Sequence, residues 1–392
     1  MEPIMSHSFL RYTQCLIVGA LPLSQAVSAA PAASTAAVAM AYPMTPDIWR
    51  GEKTTFAPDE AFPGGLMTVT EGYAETNAGT FAEGTVEFDI KALAYADTGI
   101  LLHRRDADTA EFIYVRANPD CPAANDCVQY APITNGRMQW NAYSRYQHSA
   151  PLVAAGWNHL RIVIADGRLR LFVNHALEPS LDVPRLQGLA DRGGFAVKGP
   201  AIFANFVVRP DDKGSSAPPP VDVPQPGVVR HWLLGPVTPA PANGIPTLND
   251  LPNTGWQPLE AEPDGLANLA RAIPKNDGPR RQVAWLKVEI DAVADGARTV
   301  DLGFVPRAWL FLNGARVYGG ENFYYPSAKR LAPAGRFAPD NARVELSLHK
   351  GKNTLVLATD DAWRRTDGTL WPDHYGWAAM ARFEQPAGLT LR

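Results

Sequence analysis

Polar and aromatic side chains alternate with aliphatic ones along predicted strands between residues 99 and 131. If Ile100, Leu102, Ile113, Val115 and Val128 face a core, the residues between them share the opposite face. These are His103, Arg105, Tyr114, Arg116 and Gln129, followed by Asn135 in the next turn and Trp140 in the next strand. Aromatic planes pack against sugar rings, and arginine and amide groups donate to hydroxyl or uronate oxygens. The pattern therefore predicts a glycan-binding face, with a wet or loop-covered sheet face as the alternative.

A second group of aromatic residues lies in the polar, turn-rich stretch 360–375. Trp363, Trp371 and Tyr375 stand there beside arginine and aspartate residues, which favours a binding surface on a loop. An aromatic loop that only caps one end of the fold is the alternative. The same stretch holds Asp360, Asp361, Asp367 and Asp373, whose oxygens could ligate a structural calcium ion, although no fixed calcium loop is present.

Catalytic alternatives use the same polar face. A polysaccharide lyase could use His103, Tyr143 or Tyr146 as its base, with Arg116 neutralising a uronate. The chain contains no phosphate-binding glycine loop, dinucleotide fingerprint, His-Glu-x-x-His helix or Gly-x-Ser-x-Gly elbow. We therefore expect no cofactor other than the calcium considered above.

Export is predicted from the first residues and from the cysteines. Residues 1–29 have the features of a signal peptide, with a short apolar run at Cys15–Leu23 and the small residues Val27-Ser28-Ala29 at the cleavage positions after it. Removal of this segment leaves Cys121 and Cys127, an even pair in a turn-rich loop, which predicts a local disulfide. We expect a secreted or periplasmic protein with no membrane segment after signal removal.

Composition limits the class of protein and of partner. The 36 Lys and Arg against 40 Asp and Glu leave a net charge of −4, so no basic surplus exists for a nucleic-acid partner. The 32 Gly and 35 Pro favour short strands joined by turns over a helical bundle.

The elements that position these residues are mostly predicted strands. Strands alternate with short turns, including the two-residue hairpin signals Asp166-Gly167 and Asn313-Gly314, and one short helix is expected around Gly265–Ile273. Trp232, Trp285 and Trp309 lie in apolar runs and are expected in the core. The predicted order is a signal peptide (1–29), a flexible Ala/Pro leader (30–44), a first domain (45–209), a Pro-rich linker (210–227) and a second domain (228–392). The fold class is all-β, with two β-sandwiches.

Two resemblances refine this expectation. The stretches Phe81–Lys91, Gly99–Arg104 and Phe112–Arg116, with Gly156–Val163, resemble a concanavalin A-like lectin/glucanase (laminin G-like) domain. The second half resembles a galactose-binding-like jelly roll in Trp232–Pro236, Phe311–Gly314, Leu348–Leu355 and Gly376-Trp377. Both folds host lectins, enzymes and adhesion modules.

The first resemblance raises the question of glucanase activity. Laminarinase-type members carry three acidic residues at alternate positions of one strand, and Glu87, Asp89 and Lys91 hold the nearest comparable positions here. Because a lysine cannot serve as the paired acid, that activity is not expected. We expect a lectin-like protein that recognises glycan or polysaccharide and lean against catalysis. A glycoside hydrolase or polysaccharide lyase is the first alternative, and a structural or adhesion module is the second; the oligomeric state is left open.

Overall fold

A computed structural model describes residues 38–392 except 78, 122, 211, 215–222, 224, 243, 276, 277, 279, 366, 373 and 374. The predicted signal peptide, most of the predicted linker 210–227 and Asp373 lie outside the described residues. Strands make up 49% of the residues and helices 4%, which confirms the all-β class. Among the described residues, no helix has both the length and the apolar character needed to cross a bilayer.

The first half of the molecule, residues 38–209, consists of antiparallel strands. They are β1 (Met40–Tyr42), β2 (Trp49–Arg50), β3 (Thr54–Ala57), β4 (Leu66–Val69), β5 (Tyr73–Thr76), β6 (Gly84–Ala92), β7 (Thr98–Asp106), β8 (Thr109–Val115), β9 (Val128–Thr134), β10 (Arg137–Met138), β11 (Gln147–His148), β12 (Asn158–Ala165), β13 (Arg168–Val173), β14 (Leu181–Val183), β15 (Gly194–Lys198) and β16 (Ala201–Arg209). A 3₁₀ turn covers Ser144–Tyr146.

These strands form two eight-stranded sheets. Sheet one has the order β14-β13-β12-β6-β16-β4-β3, and β1 pairs with β16, so the sheet already begins within the predicted leader 30–44. Sheet two has the order β10-β9-β8-β7-β15-β5-β2, and β11 pairs with β9. The aliphatic residues expected to face inward, including Ile100, Ile113 and Val128, all lie in the core between these sheets.

The second half, residues 228–392, is also built from antiparallel strands. They are β17 (His231–Leu234), β18 (Thr238–Pro239), β19 (Gln257–Glu260), β20 (Ala267–Asn268), β21 (Gln282–Ala292), β22 (Gly296–Val305), β23 (Arg307–Leu312), β24 (Ala315–Glu321), β25 (Ala342–Leu348), β26 (Gly351–Asp360), β27 (Ala362–Arg364), β28 (Leu370–Pro372), β29 (Ala378–Phe383) and β30 (Leu389–Leu391). The helix α1 covers Leu269–Ala272, and 3₁₀ turns cover Leu248–Asp250 and Ser327–Lys329.

Two sheets and a hairpin organise the second half. Sheet three has the order β19-β17-β21-β26-β23-β24, with β18 and β30 beside β21, and sheet four has the order β20-β29-β22-β25. The strands β27 and β28 form a separate two-stranded hairpin. Trp232, Trp285 and Trp309 are buried, as their apolar surroundings predict.

Both predicted two-residue turns are present. Asp166 and Asn313 have φ of 52° and 49°, and the glycines that follow them have φ of 72° and 90°. This left-handed conformation at both turn positions matches the twist of a hairpin, which explains the Asx-Gly sequences. Cys121 and Cys127 are joined in a disulfide, so that prediction is confirmed.

The two halves share a buried, hydrogen-bonded interface within one compact unit, residues 37–392. Asn141 donates to the carbonyl of Gly376 (3.2 Å) and accepts from its amide (2.7 Å). Arg137 donates to the carbonyl of Ile273 at 2.9 Å. Apolar residues of the second half, including Phe337 and Met380, join the core of the first half. The interface therefore combines apolar burial with satisfied backbone groups, as a protein interior does.

We expect Asn141→Ala to destabilise the whole protein. The substitution leaves the amide and carbonyl of Gly376 buried without their partner, which costs on the order of 1–3 kcal/mol for each unpaired group. Urea unfolding of the variant should show this loss, whereas Asn125→Ala, at an exposed asparagine, should leave the free energy of unfolding unchanged. Equal effects of the two substitutions would contradict the role assigned to Asn141.

Candidate functional site

One cavity, called here the aromatic cavity, is formed by both halves of the molecule. Its volume is about 280 Å³, near the low end of ligand pockets. The first half contributes Tyr95, Asp97, Arg116, Asp126, Met138 and Trp140, and the second half contributes Tyr324, Tyr325, Arg336, Trp363 and Tyr375. The lining thus combines aromatic rings with two guanidinium groups and two carboxylates.

Trp140 lies at the centre of the aromatic lining. Its ring meets Tyr324 edge to face at 5.2 Å between centroids and Tyr375 at 5.7 Å. Trp363 in turn packs against Tyr375 at 4.7 Å. A backbone bridge between Met138 and Tyr375 joins the two chain segments directly. Edge-to-face aromatic pairs are favourable, so the rings hold one another in place as a preformed wall.

A buried hydrogen-bonded chain beneath the cavity positions Trp140 and Arg116. The hydroxyl of Tyr114 donates to Gln129 Oε1 (2.5 Å), and Gln129 Nε2 donates to the carbonyl of Trp140 (2.9 Å). Arg116 Nη2 donates to the Tyr114 hydroxyl at 3.3 Å, and its guanidinium lies 4.8 Å from the centre of the Tyr114 ring. Tyr114 and Gln129 are completely buried, so they support the cavity and do not contact a ligand in it.

The second arginine of the cavity, Arg336, lies on a loop held by asparagine side chains. Asn322 and Asn341 both donate to its carbonyl at 3.0 Å. Its guanidinium lies 5.4 Å from the centre of the Trp140 ring and 5.5 Å from that of Tyr324. Burial lowers the pKa of Arg336, and the positive charge of Arg116 acts in the same direction.

The rim of the cavity carries two aspartates that already have partners. Asp126 accepts a hydrogen bond from the hydroxyl of Tyr95 at 2.8 Å, and the disulfide to the adjacent Cys127 closes the loop that bears it. Asp97 pairs with Lys198. Both carboxylates keep further lone pairs, so they can still accept from ligand hydroxyls.

Four of the residues predicted from sequence meet in this cavity: Arg116 and Trp140 of the first half, and Trp363 and Tyr375 of the second. Tyr114 and Gln129 lie directly beneath it, on the face opposite the core as predicted. That face is covered by the second half instead of being open, which is why these two residues are buried.

His103 does not join this group, which corrects the prediction. The pairing of β7 with β8 shifts register between Leu102 and Asp106, and His103 has a φ of 48°. The step from Leu102 to Asp106 covers four residues of β7 but only two of β8, so β7 carries two extra residues and the alternation is interrupted at His103. His103 is therefore buried beside Phe81, and its Nε2 lies 2.7 Å from the carbonyl of Ala82, in a different cavity.

Three other predicted residues also lie outside the aromatic cavity. Arg105 follows the same bulge and pairs with Asp106 at 3.5 Å on the surface. Asn135 belongs to the interface, where it donates to the carbonyls of Ala270 and Arg271. Trp371 is 42% exposed and packs under Arg365 at 3.9 Å, outside the cavity lining.

Among the predicted lyase bases and calcium ligands, Tyr143, Tyr146 and Asp360 have other partners. Tyr143 is buried and bonds Glu262 across the interface, and Tyr146 stacks on Tyr143 at 6.0 Å. Asp360 is buried and paired with Arg281 and Arg307. Among the described residues, no group of three or more acidic, histidine or cysteine side chains could hold a metal ion.

Sequence reasoning missed the residues that the loop 322–341 brings to the cavity. Tyr324, Tyr325 and Arg336 have no strand alternation that would assign them a face. The available signal was the aromatic pair Tyr324-Tyr325 before Pro326 in a polar stretch, the same loop signal that identified Trp363.

No family model and no curated protein matches the chain. Among solved structures, it is similar to the carbohydrate-binding module CBM66 from Bacillus subtilis, with 15% identity, a TM-score of 0.29 and coverage of 41% of this chain and 90% of that one. Domain 4 of AbnA, a GH43 extracellular arabinanase from Geobacillus stearothermophilus in complex with arabinotriose, has 10% identity, a TM-score of 0.28 and coverage of 44% and 82%. A family 35 carbohydrate-binding module from an environmental isolate has 14% identity, a TM-score of 0.20 and coverage of 43% and 93%. These TM-scores are too low to assign a function.

Beyond the aromatic cavity, the first half contains a buried carboxylate, Glu111. The hydroxyl of Tyr130 donates to its Oε2 (2.6 Å) and the amide of Gly188 to its Oε1 (2.9 Å). Burial dominates and raises the pKa of Glu111 from 4.5 to about 7. The folded protein therefore binds a proton at Glu111 at pH values where the unfolded chain has lost it.

We expect this proton to make stability depend on pH. A raised folded-state pKa stabilises the protein fully below pH 4.5, and this contribution is lost as the pH rises to about 7. Glu111→Gln should reduce the change in unfolding free energy across that pH interval by roughly 3 kcal/mol. Urea unfolding over the interval measures it, with the exposed Glu60→Gln as control. An unchanged slope in Glu111→Gln would show that another group is responsible.

Proposed function

We propose that this is an exported carbohydrate-binding protein that holds a sugar unit of a glycan or polysaccharide in the aromatic cavity. One observation carries the proposal: Arg116 and Trp140 meet Trp363 and Tyr375 in one cavity although they come from distant parts of the chain. The sequence predicts the first pair as part of a glycan-binding face and the second, independently, as part of a binding surface on a loop.

The chemistry of the cavity supports a sugar ligand. Sugar rings present apolar C–H faces that pack on aromatic planes, while their hydroxyl groups need donors and acceptors at fixed positions. Trp363, Tyr324 and Tyr325 supply the planes, Arg116 and Arg336 supply donors, and Asp97 and Asp126 supply acceptors. Because the rings are held by one another, little ordering is required when a ligand binds.

The proposal extends to family and location. A concanavalin A-like first sandwich and a galactose-binding-like second sandwich agree with the all-β architecture and with the motifs quoted above. Export is supported by the signal-like segment 1–29 and by the disulfide, because disulfides persist in oxidising compartments. Release to the medium and retention in a periplasm both fit this proposal.

A glycoside hydrolase is the second candidate, because two carboxylates, Asp97 and Asp126, line the same cavity. Hydrolysis requires one carboxyl group as the acid and the other as nucleophile or base. Release of reducing ends from a bound polysaccharide would establish this activity, and its loss in Asp126→Asn would assign it to the cavity.

Binding should depend on Trp363 but not on Trp371. These residues face each other across the β27–β28 hairpin, yet only Trp363 lines the cavity. Trp363→Ala removes part of the aromatic wall, and we expect affinity for polysaccharide to fall by about tenfold or more. Affinity electrophoresis in gels that contain a panel of plant and microbial polysaccharides measures the effect.

Trp371→Ala is the matched control, because it removes an exposed tryptophan from the same hairpin. Thermal unfolding of both variants separates a loss of binding from a loss of fold. Equal retardation of the wild-type protein and Trp363→Ala, or no retardation of the wild type by any polysaccharide, would count against the cavity as a sugar site.

A further inference from the structure

We infer that the aromatic cavity takes an acidic sugar, whose carboxylate is bound by the guanidinium groups of Arg116 and Arg336. The inference rests on the proposed function and specifies the ligand class of the same site. A uronic acid unit within an acidic polysaccharide is the ligand that this chemistry would recognise.

The first observation is that both guanidinium groups lack an acidic partner. No carboxylate of the described residues forms an ion pair with Arg116 or Arg336. The Nε atom of Arg336 is buried without a hydrogen-bond partner. Both arginines are half-buried, and a guanidinium that has lost part of its water without gaining an ion pair is stabilised by a bound anion.

Two arginines outside the cavity, Arg307 and Arg145, are paired with carboxylates instead. Arg307 is 4% exposed and pairs with Asp360, which also pairs with Arg281 at 2.8 Å. Arg145 lies 3.2 Å from Glu262 and 3.0 Å from Asp264. These structural arginines are neutralised by carboxylates, while the two arginines of the cavity have aromatic neighbours and no ion pair.

The acidic residues of the cavity balance its positive charge only in part. Asp97 is neutralised by Lys198, whereas Asp126 keeps its charge beside the Tyr95 hydroxyl and attracts Arg336 without forming an ion pair with it. One free carboxylate thus stands against two guanidinium groups, and a ligand carboxylate would supply the remaining negative charge. Arginine suits this role because its planar donors match both oxygens of a carboxylate.

The aromatic wall fits the rest of the same ligand. Trp140 and Tyr324 lie against the Arg336 guanidinium, and Tyr375 and Trp363 continue the wall away from it. A small free anion would contact only the arginines, whereas a uronic acid places its carboxylate on them and its ring on the aromatic residues. The geometry therefore favours an acidic sugar over an inorganic anion.

The test compares polyuronates with their carboxyl-reduced counterparts. Isothermal titration calorimetry measures the binding of oligomers of galacturonic, mannuronic and glucuronic acid to the mature protein. The carboxyl-reduced neutral form of each oligomer and inorganic phosphate are titrated as controls. We expect at least one acidic oligomer to bind about ten- to hundredfold more tightly than its neutral form. High salt should weaken the binding of the acidic oligomer and leave the affinity for the neutral oligomer unchanged.

Substitutions assign this preference to the two arginines. Arg336→Gln and Arg116→Gln should each reduce the ratio of the affinity for the acidic oligomer to that for the neutral oligomer towards one. Arg336→Lys should retain part of this preference because the positive charge remains. Arg298→Gln is the matched control, because Arg298 is also half-buried with an unpartnered Nε but does not line the cavity. Thermal unfolding shows whether each variant is folded. If Arg336→Gln does not fold, the affinity ratio of Arg116→Gln alone tests the inference.

The outcomes separate this inference from the proposed function. Equal binding of acidic and neutral oligomers, or an unchanged ratio in both glutamine variants, overturns the acidic-sugar inference and leaves sugar binding intact. Binding of phosphate as tight as that of the oligomers also overturns it. Binding of no acidic or neutral sugar overturns the proposed function itself.

Discussion

The contact of the second half with the outer face of sheet two is the constraint on which the site depends. Tyr114, Gln129 and Trp140 occupy a face that would be exposed in an isolated sandwich, and the second half buries them. Buried polar groups require partners, and here the partners are one another, in the chain that runs from Arg116 through Tyr114 and Gln129 to Trp140. Covering the face therefore fixes the orientation of the residues that remain accessible at its end.

The same contact explains why the cavity needs both halves. Asn141 holds the backbone of Gly376, next to Tyr375, through both its amide nitrogen and its amide oxygen. The amide of Phe337, next to Arg336, donates to the carbonyl of Asn141 at 2.8 Å. The turn after β10 thus anchors both segments of the second half that reach the cavity. A loss of this anchor would displace Tyr375 and Arg336 together, so the stability of the fold and the geometry of the cavity are coupled at Asn141.

Charge is distributed differently in the interface and in the cavity. Carboxylates and arginines in the interface are paired, as Glu262 is with Arg145. Such pairing compensates for the loss of water around each charge. In the cavity, Arg116 and Arg336 form no ion pair with the two aspartates of the lining and lie instead near aromatic rings, which interact favourably with a cation through their faces but do not neutralise it. This contrast separates residues that maintain the fold from residues available to a ligand.

Strand alternation predicted the all-β class and the inward-facing residues, because successive side chains of a strand point to opposite faces of the sheet. The rule failed at His103, where β7 carries two extra residues relative to β8 that no sequence feature marks. It also could not show that sheet two is covered, since covering depends on contacts between Asn135 and Ala270 that are remote in sequence. The aromatic loops were recognised where tryptophan stood beside charge, as at Trp363. They were missed at Tyr324 and Arg336, because an irregular loop has no period from which a direction can be inferred.

The most direct test of the account is a crystal structure of the protein in complex with a uronic acid trimer. We expect electron density for one sugar unit in the aromatic cavity, with its ring against Trp363 or Tyr324 and its carboxylate within hydrogen-bond distance of Arg116 and Arg336. Density for the sugar on another surface, with the cavity empty at saturating ligand, would contradict the account.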